Sequence, residues 1–155
     1  MSNLVNAIAQ HFYEVHYGNN WTDASVNDAI KDISWEQATK QLGSVNTIAL
    51  LVHHMHFYNS VVYNRCFEDE DKEFDHEDSL VVNVQNQKDW EQLKATYFEL
   101  VSKLNTSILN LREDVLFTKR LGNEKTYYKN LHGLIEHIHY HLGQINLLKK
   151  MLSAF

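Results

Sequence analysis

The chain of 155 residues contains no proline and only five glycines. Proline removes a backbone donor and clashes with the preceding helical turn, and glycine costs about 1 kcal/mol inside a helix, so this chain can form long uninterrupted helices. The apolar fraction is 44% and the charged fraction 22%, close to the averages for globular proteins of this size. The sequence therefore predicts an all-α fold in a single domain, residues 1–155.

Apolar periodicity predicts four long helices. In the first and third, apolar residues recur every three or four positions, the pattern of a helix with one face in a core. The second is apolar on most sides, which indicates a central helix, and the fourth contains a cluster of histidines. The predicted ranges are 3–17, 45–66, 86 or 87 to 111, and 128–152.

The connection between the first two long helices contains two further helical patterns. Residues 25–31 form one predicted short helix, and the sequence SWEQ, from Ser34 to Gln37, has the form of a capping box that starts another, through about residue 41. Four long helices with one or two short ones in this connection predict a four-helix bundle. Such bundles place metal sites in their cores.

The negative charge is concentrated in residues 68–78, which carry eight acids and one lysine against a net charge of −6 for the chain. This segment lacks apolar periodicity and is predicted to be a solvated loop, with ion binding as the alternative. The remainder is nearly neutral, which argues against a nucleic-acid-binding surface because such surfaces are basic.

The only cysteine, Cys66, excludes an intrachain disulfide, fits a reducing cytosol and is predicted to be a small apolar residue rather than a nucleophile. No stretch is apolar over the ~20 residues that a membrane span needs. The N-terminus also lacks the basic region of a signal peptide. The sequence therefore predicts a cytoplasmic protein.

Two histidines in the last predicted helix, His137 and His141, are four residues apart and lie on the same helical face, where they can bind one divalent ion. His139 points roughly 160–200° away from them and is excluded. A third ligand is expected from the second long helix, where His53 and His54 both remain candidates. Three imidazole ligands would leave the fourth coordination position to water, which a substrate can replace, as in catalytic zinc sites.

The other histidines and histidine motifs of the chain give weaker evidence for a metal site than this group does. His76 lies in the acidic segment and is predicted to be solvated, and His11 lies off the apolar face of the first helix and is predicted to be on the surface. The His-Glu-x-x-His motif of zincins is absent, and only Glu136 to His139 gives a helical Glu-x-x-His, whereas a di-iron centre needs two.

Two stretches resemble the DinB/YfiT-like superfamily of bacterial four-helix metalloproteins. They are residues 46–58 (NTIALLVHHMHFY) and residues 128–145 (YKNLHGLIEHIHYHLGQI). In this resemblance His54 matches the family's third-ligand position. His137 and His141, followed by Gly-Gln, match its C-terminal ligand pair.

The resemblance implies a divalent metal, zinc or nickel, held by the three histidines, and a homodimer. It also implies a thiol-dependent transferase that uses a low-molecular-weight thiol, and hydrolysis is compatible with the same site. Gln144 or Glu14 is expected to orient a ligand. The alternative hypothesis is a non-catalytic, stress-linked dimeric bundle with a structural metal or none.

Overall fold

The computed structural model describes residues 3–68, 72–120 and 124–153. These residues form helices and contain no β-strand, which confirms the predicted all-α fold. Two short 3-10 helices, His76–Leu80 and Glu113–Val115, precede and follow the long helix Gln87–Leu109. The α-helices are α1 (Asn3–Tyr17), α2 (Val26–Ile30), α3 (Trp35–Thr39), α4 (Ile48–Phe67), α5 (Gln87–Leu109) and α6 (Tyr127–Ser153).

The four long helices pack side by side around one apolar core. Helices α1 and α4 each contact both α5 and α6. Helices α1 and α5 contribute the apolar faces that their periodicity predicted, because residues three and four apart lie on the same side of a helix. Fully or almost fully buried members include Phe12, Met55, Trp90, Leu104 and Ile138.

The ends of the helices differ from the predicted ones by a few residues where a cap decides them. Helix α4 begins at Ile48 rather than at residue 45, because the Thr47 side chain accepts a hydrogen bond from the backbone N–H of Leu50. Val45 lies outside the helix and remains 49% exposed. Helix α6 extends one residue further at each end than predicted.

The predicted short helices are both present. Ser25 caps α2 by accepting a hydrogen bond from the backbone N–H of Asp28. The predicted capping box at the start of α3 is confirmed, because Ser34 and Gln37 each accept a hydrogen bond from the other's backbone N–H. The Trp90 indole donates to the Ile33 carbonyl at 2.8 Å, which holds this connection against α5.

We expect Ser34→Ala to lower the free energy of unfolding by about 1 kcal/mol, because it leaves one N–H at the start of α3 without its acceptor. Urea denaturation measures the change. Ser34→Thr keeps a hydroxyl at the same position and serves as the control. An unchanged midpoint for Ser34→Ala would show that the box does not contribute to stability.

The end of the acidic segment packs against α4. Its last three residues begin the 3-10 helix His76–Leu80, which contacts α4, whereas residues 69–71 lie outside the described residues. His76, Glu77 and Asp78 are exposed, as predicted for a solvated segment, but they form a helical turn rather than a loop, because five residues are too few to give a periodic signal. Ser79, just after the segment, is fully buried.

Two remaining predictions concern single features. Cys66 is buried, and burial raises the pKa of its thiol to about 12, in agreement with its predicted role as a small apolar residue. The dipeptide Gly122-Asn123 is typical of a turn and lies outside the described residues. None of the helices within residues 3–68, 72–120 and 124–153 has the length and apolar character that crossing a membrane requires.

Candidate metal centre

Three histidine side chains converge where α4 packs against α6. His54 comes from α4, and His137 and His141 come from successive turns of α6. One ring nitrogen from each lies within 4.8 Å of the others. The ring centroids of His54 are 5.1 Å from His137 and 4.8 Å from His141, and the two α6 rings are 4.4 Å apart.

Core packing sets the direction of each ring. On α4, Val52 and Met55 are fully buried, and His54 lies at the edge of the core with its ring near those of the α6 histidines. On α6, Ile138 and Ile145 are fully buried, and His141 lies between them with only 8% of its surface exposed. The apolar faces of the two helices thus fix the rotation that brings the histidines together.

One of the three rings has a partner that orients it. The Nδ1 of His141 lies 2.7 Å from Gln144 Oε1. Because an amide oxygen only accepts, Nδ1 carries the proton and Nε2 presents a lone pair. Such partners orient ligand histidines at metal sites. The His54 ring lies near the backbone of Ser79, which favours the protonated form of that ring.

The third ring, His137, has no such partner: its Nδ1 is buried without a hydrogen bond to any described residue. Its Nε2 lies 3.0 Å from the Nε2 of His141. Of the two residues expected to orient a ligand, Gln144 contacts His141 directly. The carboxylate of the other, Glu14, accepts a hydrogen bond from Gln10 within α1.

The site favours neutral imidazoles. Burial, together with the smaller effects of the neighbouring His141 and His54, lowers the pKa of His137 to about 4. Burial also lowers the pKa of His54 and that of His141, although the hydrogen bond to Gln144 opposes the shift in His141. A neutral imidazole is the form that binds a metal ion, so all three rings are in the ligand state near pH 7.

The residues fit a divalent transition metal. Zinc–nitrogen bonds of about 2.0–2.1 Å place tetrahedral ligand nitrogens roughly 3.4 Å apart. The Nε2 atoms of His137 and His141 are 3.0 Å apart, and the three ring nitrogens all lie within 4.8 Å of one another, so these distances span that spacing. In the part of the chain that the structure describes, no carboxylate joins the group. Three imidazoles suit zinc, nickel or copper better than magnesium or calcium, which prefer oxygen ligands.

His53, the rival to His54, lies outside the group. Its Nε2 is 2.9 Å from the carbonyl oxygen of Asp78, so its ring points to the 3-10 helix and not to α6. The structure also places His139 away from the site, as predicted, with its ring 5.7 Å from that of His11. His11 is half-buried in this contact rather than fully on the surface.

Sequence reasoning missed two residues beside the site, Tyr58 and His76. The Tyr58 ring is 4.9 Å from His54 and 4.8 Å from His137, and its hydroxyl lies 2.7 Å from His76 Nδ1. Tyr58 is four residues after His54, a spacing that indicates the same helical face. No comparable signal marks His76, because its position depends on how the acidic segment folds back.

Comparisons with protein-family models, curated proteins and solved structures found no match for this chain.

Proposed function

We propose that the protein is a metal-dependent enzyme of the DinB-like type, in which His54, His137 and His141 hold one zinc or nickel ion. The observation that carries this proposal is the convergence of three neutral imidazoles from two helices that are distant in sequence. A four-helix bundle, a homodimer and a cytoplasmic location belong to the same proposal.

Three protein ligands leave a coordination position for water or substrate, as in catalytic zinc sites. A bound divalent ion would lower the pKa of a water or a thiol at that position toward neutrality and so supply a nucleophile. The reactions that this supports are the transfer of a low-molecular-weight thiol to an electrophile and hydrolysis.

The chain supplies one route for a proton at the site. The Tyr58 hydroxyl shares a hydrogen bond with His76 Nδ1, and the exposed His76 ring connects this hydroxyl to solvent. In the tautomer in which His76 Nδ1 carries the proton and donates it to the hydroxyl oxygen, the Tyr58 proton is available for a hydrogen bond to a substrate oxygen beside His54 and His137. Gln144 meanwhile holds the His141 ring in place.

Cobalt substitution tests the open position. Protein freed of metal by a chelator is titrated with Co²⁺, whose visible absorption reports the coordination geometry. Azide and 2-mercaptoethanol are then added. We expect one ion per chain and a spectrum that changes with both added ligands. A spectrum that responds to neither would indicate a closed structural site and would favour the non-catalytic alternative.

Activity is tested by conjugation of thiols to 1-chloro-2,4-dinitrobenzene with zinc- and nickel-loaded protein. We expect turnover that requires the metal and that is lost in His141→Ala. An open site without turnover for this electrophile, or for esters tested in parallel, would contradict the proposed reaction classes while leaving metal binding intact.

The hydrogen bond from His141 to Gln144 gives a separate expectation. We expect Gln144→Ala to weaken Zn²⁺ binding by about 10- to 100-fold, because the orienting partner of a ligand histidine is lost. Competition with a chromogenic chelator measures the affinity. Gln92→Ala removes an exposed glutamine from α5 and should leave the affinity unchanged. Equal affinities for both variants would mean that Gln144 does not support the site.

A further inference from the structure

We propose that a cavity beside the histidine site binds a small apolar molecule that carries a carbonyl oxygen. The cavity of about 680 Å³ lies between the chain segment before α4 and the last turns of α6. That volume is within the range of about 300–1,000 Å³ for small-molecule sites. Apolar side chains form most of its wall, namely Leu42, Val45, Leu51, Leu147, Leu148 and Met151.

The cavity has depth as well as an apolar rim. Leu51 and Leu148 are buried and form its floor, with 2% and 7% of their surfaces exposed. Val45, Leu147 and Met151 stand at the rim and are 49%, 61% and 41% exposed. A small apolar molecule would cover these three side chains and the floor together, which removes apolar surface from water.

Gln144 adds one polar group to this wall. Its side-chain oxygen accepts from His141 Nδ1, while its amide nitrogen makes no hydrogen bond to the described residues. The other polar lining residues, Ser44 and Asn46, are exposed. A ligand that buried the Gln144 amide without accepting from it would leave a donor unsatisfied, so the cavity favours a ligand with a carbonyl acceptor.

The same amide connects the cavity with the histidine site. A carbonyl bound to the Gln144 nitrogen would polarise the amide and strengthen its hydrogen bond to His141, because hydrogen bonds in a chain reinforce one another. The cavity would therefore hold the apolar part of the substrate of the proposed enzyme. That last step rests on the proposed function, whereas binding in the cavity does not.

Two isosteric probes test the binding in the metal-free full chain. Butyrophenone and butylbenzene differ only by the carbonyl group. With ¹³C-labelled methionine methyl groups, the Met151 signal reports the cavity, and Met55, fully buried in the core, is the internal control. We expect both probes to shift Met151 saturably, with butyrophenone binding about 3- to 10-fold more tightly.

Variants identify the groups responsible. Gln144→Leu should abolish the preference for butyrophenone, and Leu147→Gln should weaken the binding of both probes. Leu109→Gln alters an exposed leucine of α5 and should change neither. Circular dichroism confirms that each variant is folded.

Three results would overturn the proposal: no shift of Met151, a preference that persists in Gln144→Leu, or a Met151 shift that follows protein concentration without a probe. The last would assign the surface to a second copy of the chain. Because these measurements use metal-free protein, they stand or fall separately from metal binding.

Discussion

Replacement of any of the three convergent histidines with alanine is expected to lower the affinity for Zn²⁺ by about 100-fold or more. Structural zinc sites with four ligands bind with about 10–16 kcal/mol, or roughly 3 kcal/mol for each ligand. A loss of that size corresponds to somewhat more than 100-fold in the dissociation constant. His54→Ala, His137→Ala and His141→Ala should therefore each behave alike in competition with a chromogenic chelator.

The chain offers matched controls for this experiment. His53 is adjacent to His54 on α4 but is directed to the Asp78 carbonyl, and His139 lies between the two α6 ligands but packs near His11. His53→Ala and His139→Ala should keep wild-type affinity within about threefold, since neither ring belongs to the convergent group. Loss of binding in His53→Ala, with retention in His54→Ala, would reverse the assignment on α4.

The sequence predicted the α6 half of the site better than the α4 half. The spacing of His137 and His141 is enough to place them on one helical face. His53 and His54 are only about 100° apart, and apolar residues flank both, so periodicity alone left them equivalent. The proximity of His54 to the α6 pair and the contact of His53 with the Asp78 carbonyl distinguish them, and both depend on tertiary packing.

The fold shows the same division. The long helices were predictable because a proline-free chain with apolar residues every three or four positions has few alternatives. The placement of His76 and Ser79 against the site was not, because a short 3-10 helix in an acidic segment has no periodic signature. The residues at the end of this segment are exposed, as predicted, and they also contact His53 through the Asp78 carbonyl and Tyr58 through the His76 ring.

A second buried histidine, His16, is expected to make the stability of the metal-free protein depend on pH. Its ring is fully buried between α1 and α5, with Nδ1 2.6 Å from the Phe12 carbonyl oxygen and Nε2 2.9 Å from the Tyr97 hydroxyl. The pKa of His16 is lowered to about 4, chiefly by burial, with the bond to Phe12 opposing the shift and His139 adding to it. The ring is therefore neutral in the folded chain at pH 7.

The direction of the pH effect follows from this lowered pKa. Between about pH 6.5, the ordinary histidine pKa, and about pH 4, the pKa of folded His16, the unfolded chain binds a proton that the folded chain does not. Stability therefore rises with pH across this window, is fully present above it, and falls by about 3 kcal/mol on acidification through it.

Urea denaturation between pH 7.5 and pH 4 measures the effect by comparing wild type with His16→Phe. The phenylalanine cannot titrate, and it leaves the buried Tyr97 hydroxyl without the ring nitrogen that it contacts in the wild type. His137 and His54 have lowered pKa values and contribute to the slope in both proteins, so only the difference in slope belongs to His16. We expect the variant to be less stable at pH 7.5 but to lose less on acidification, with the two curves converging toward pH 4. Parallel curves would contradict the prediction. They would mean that the folded protein protonates His16 without cost despite its enclosure between Phe12 and Tyr97.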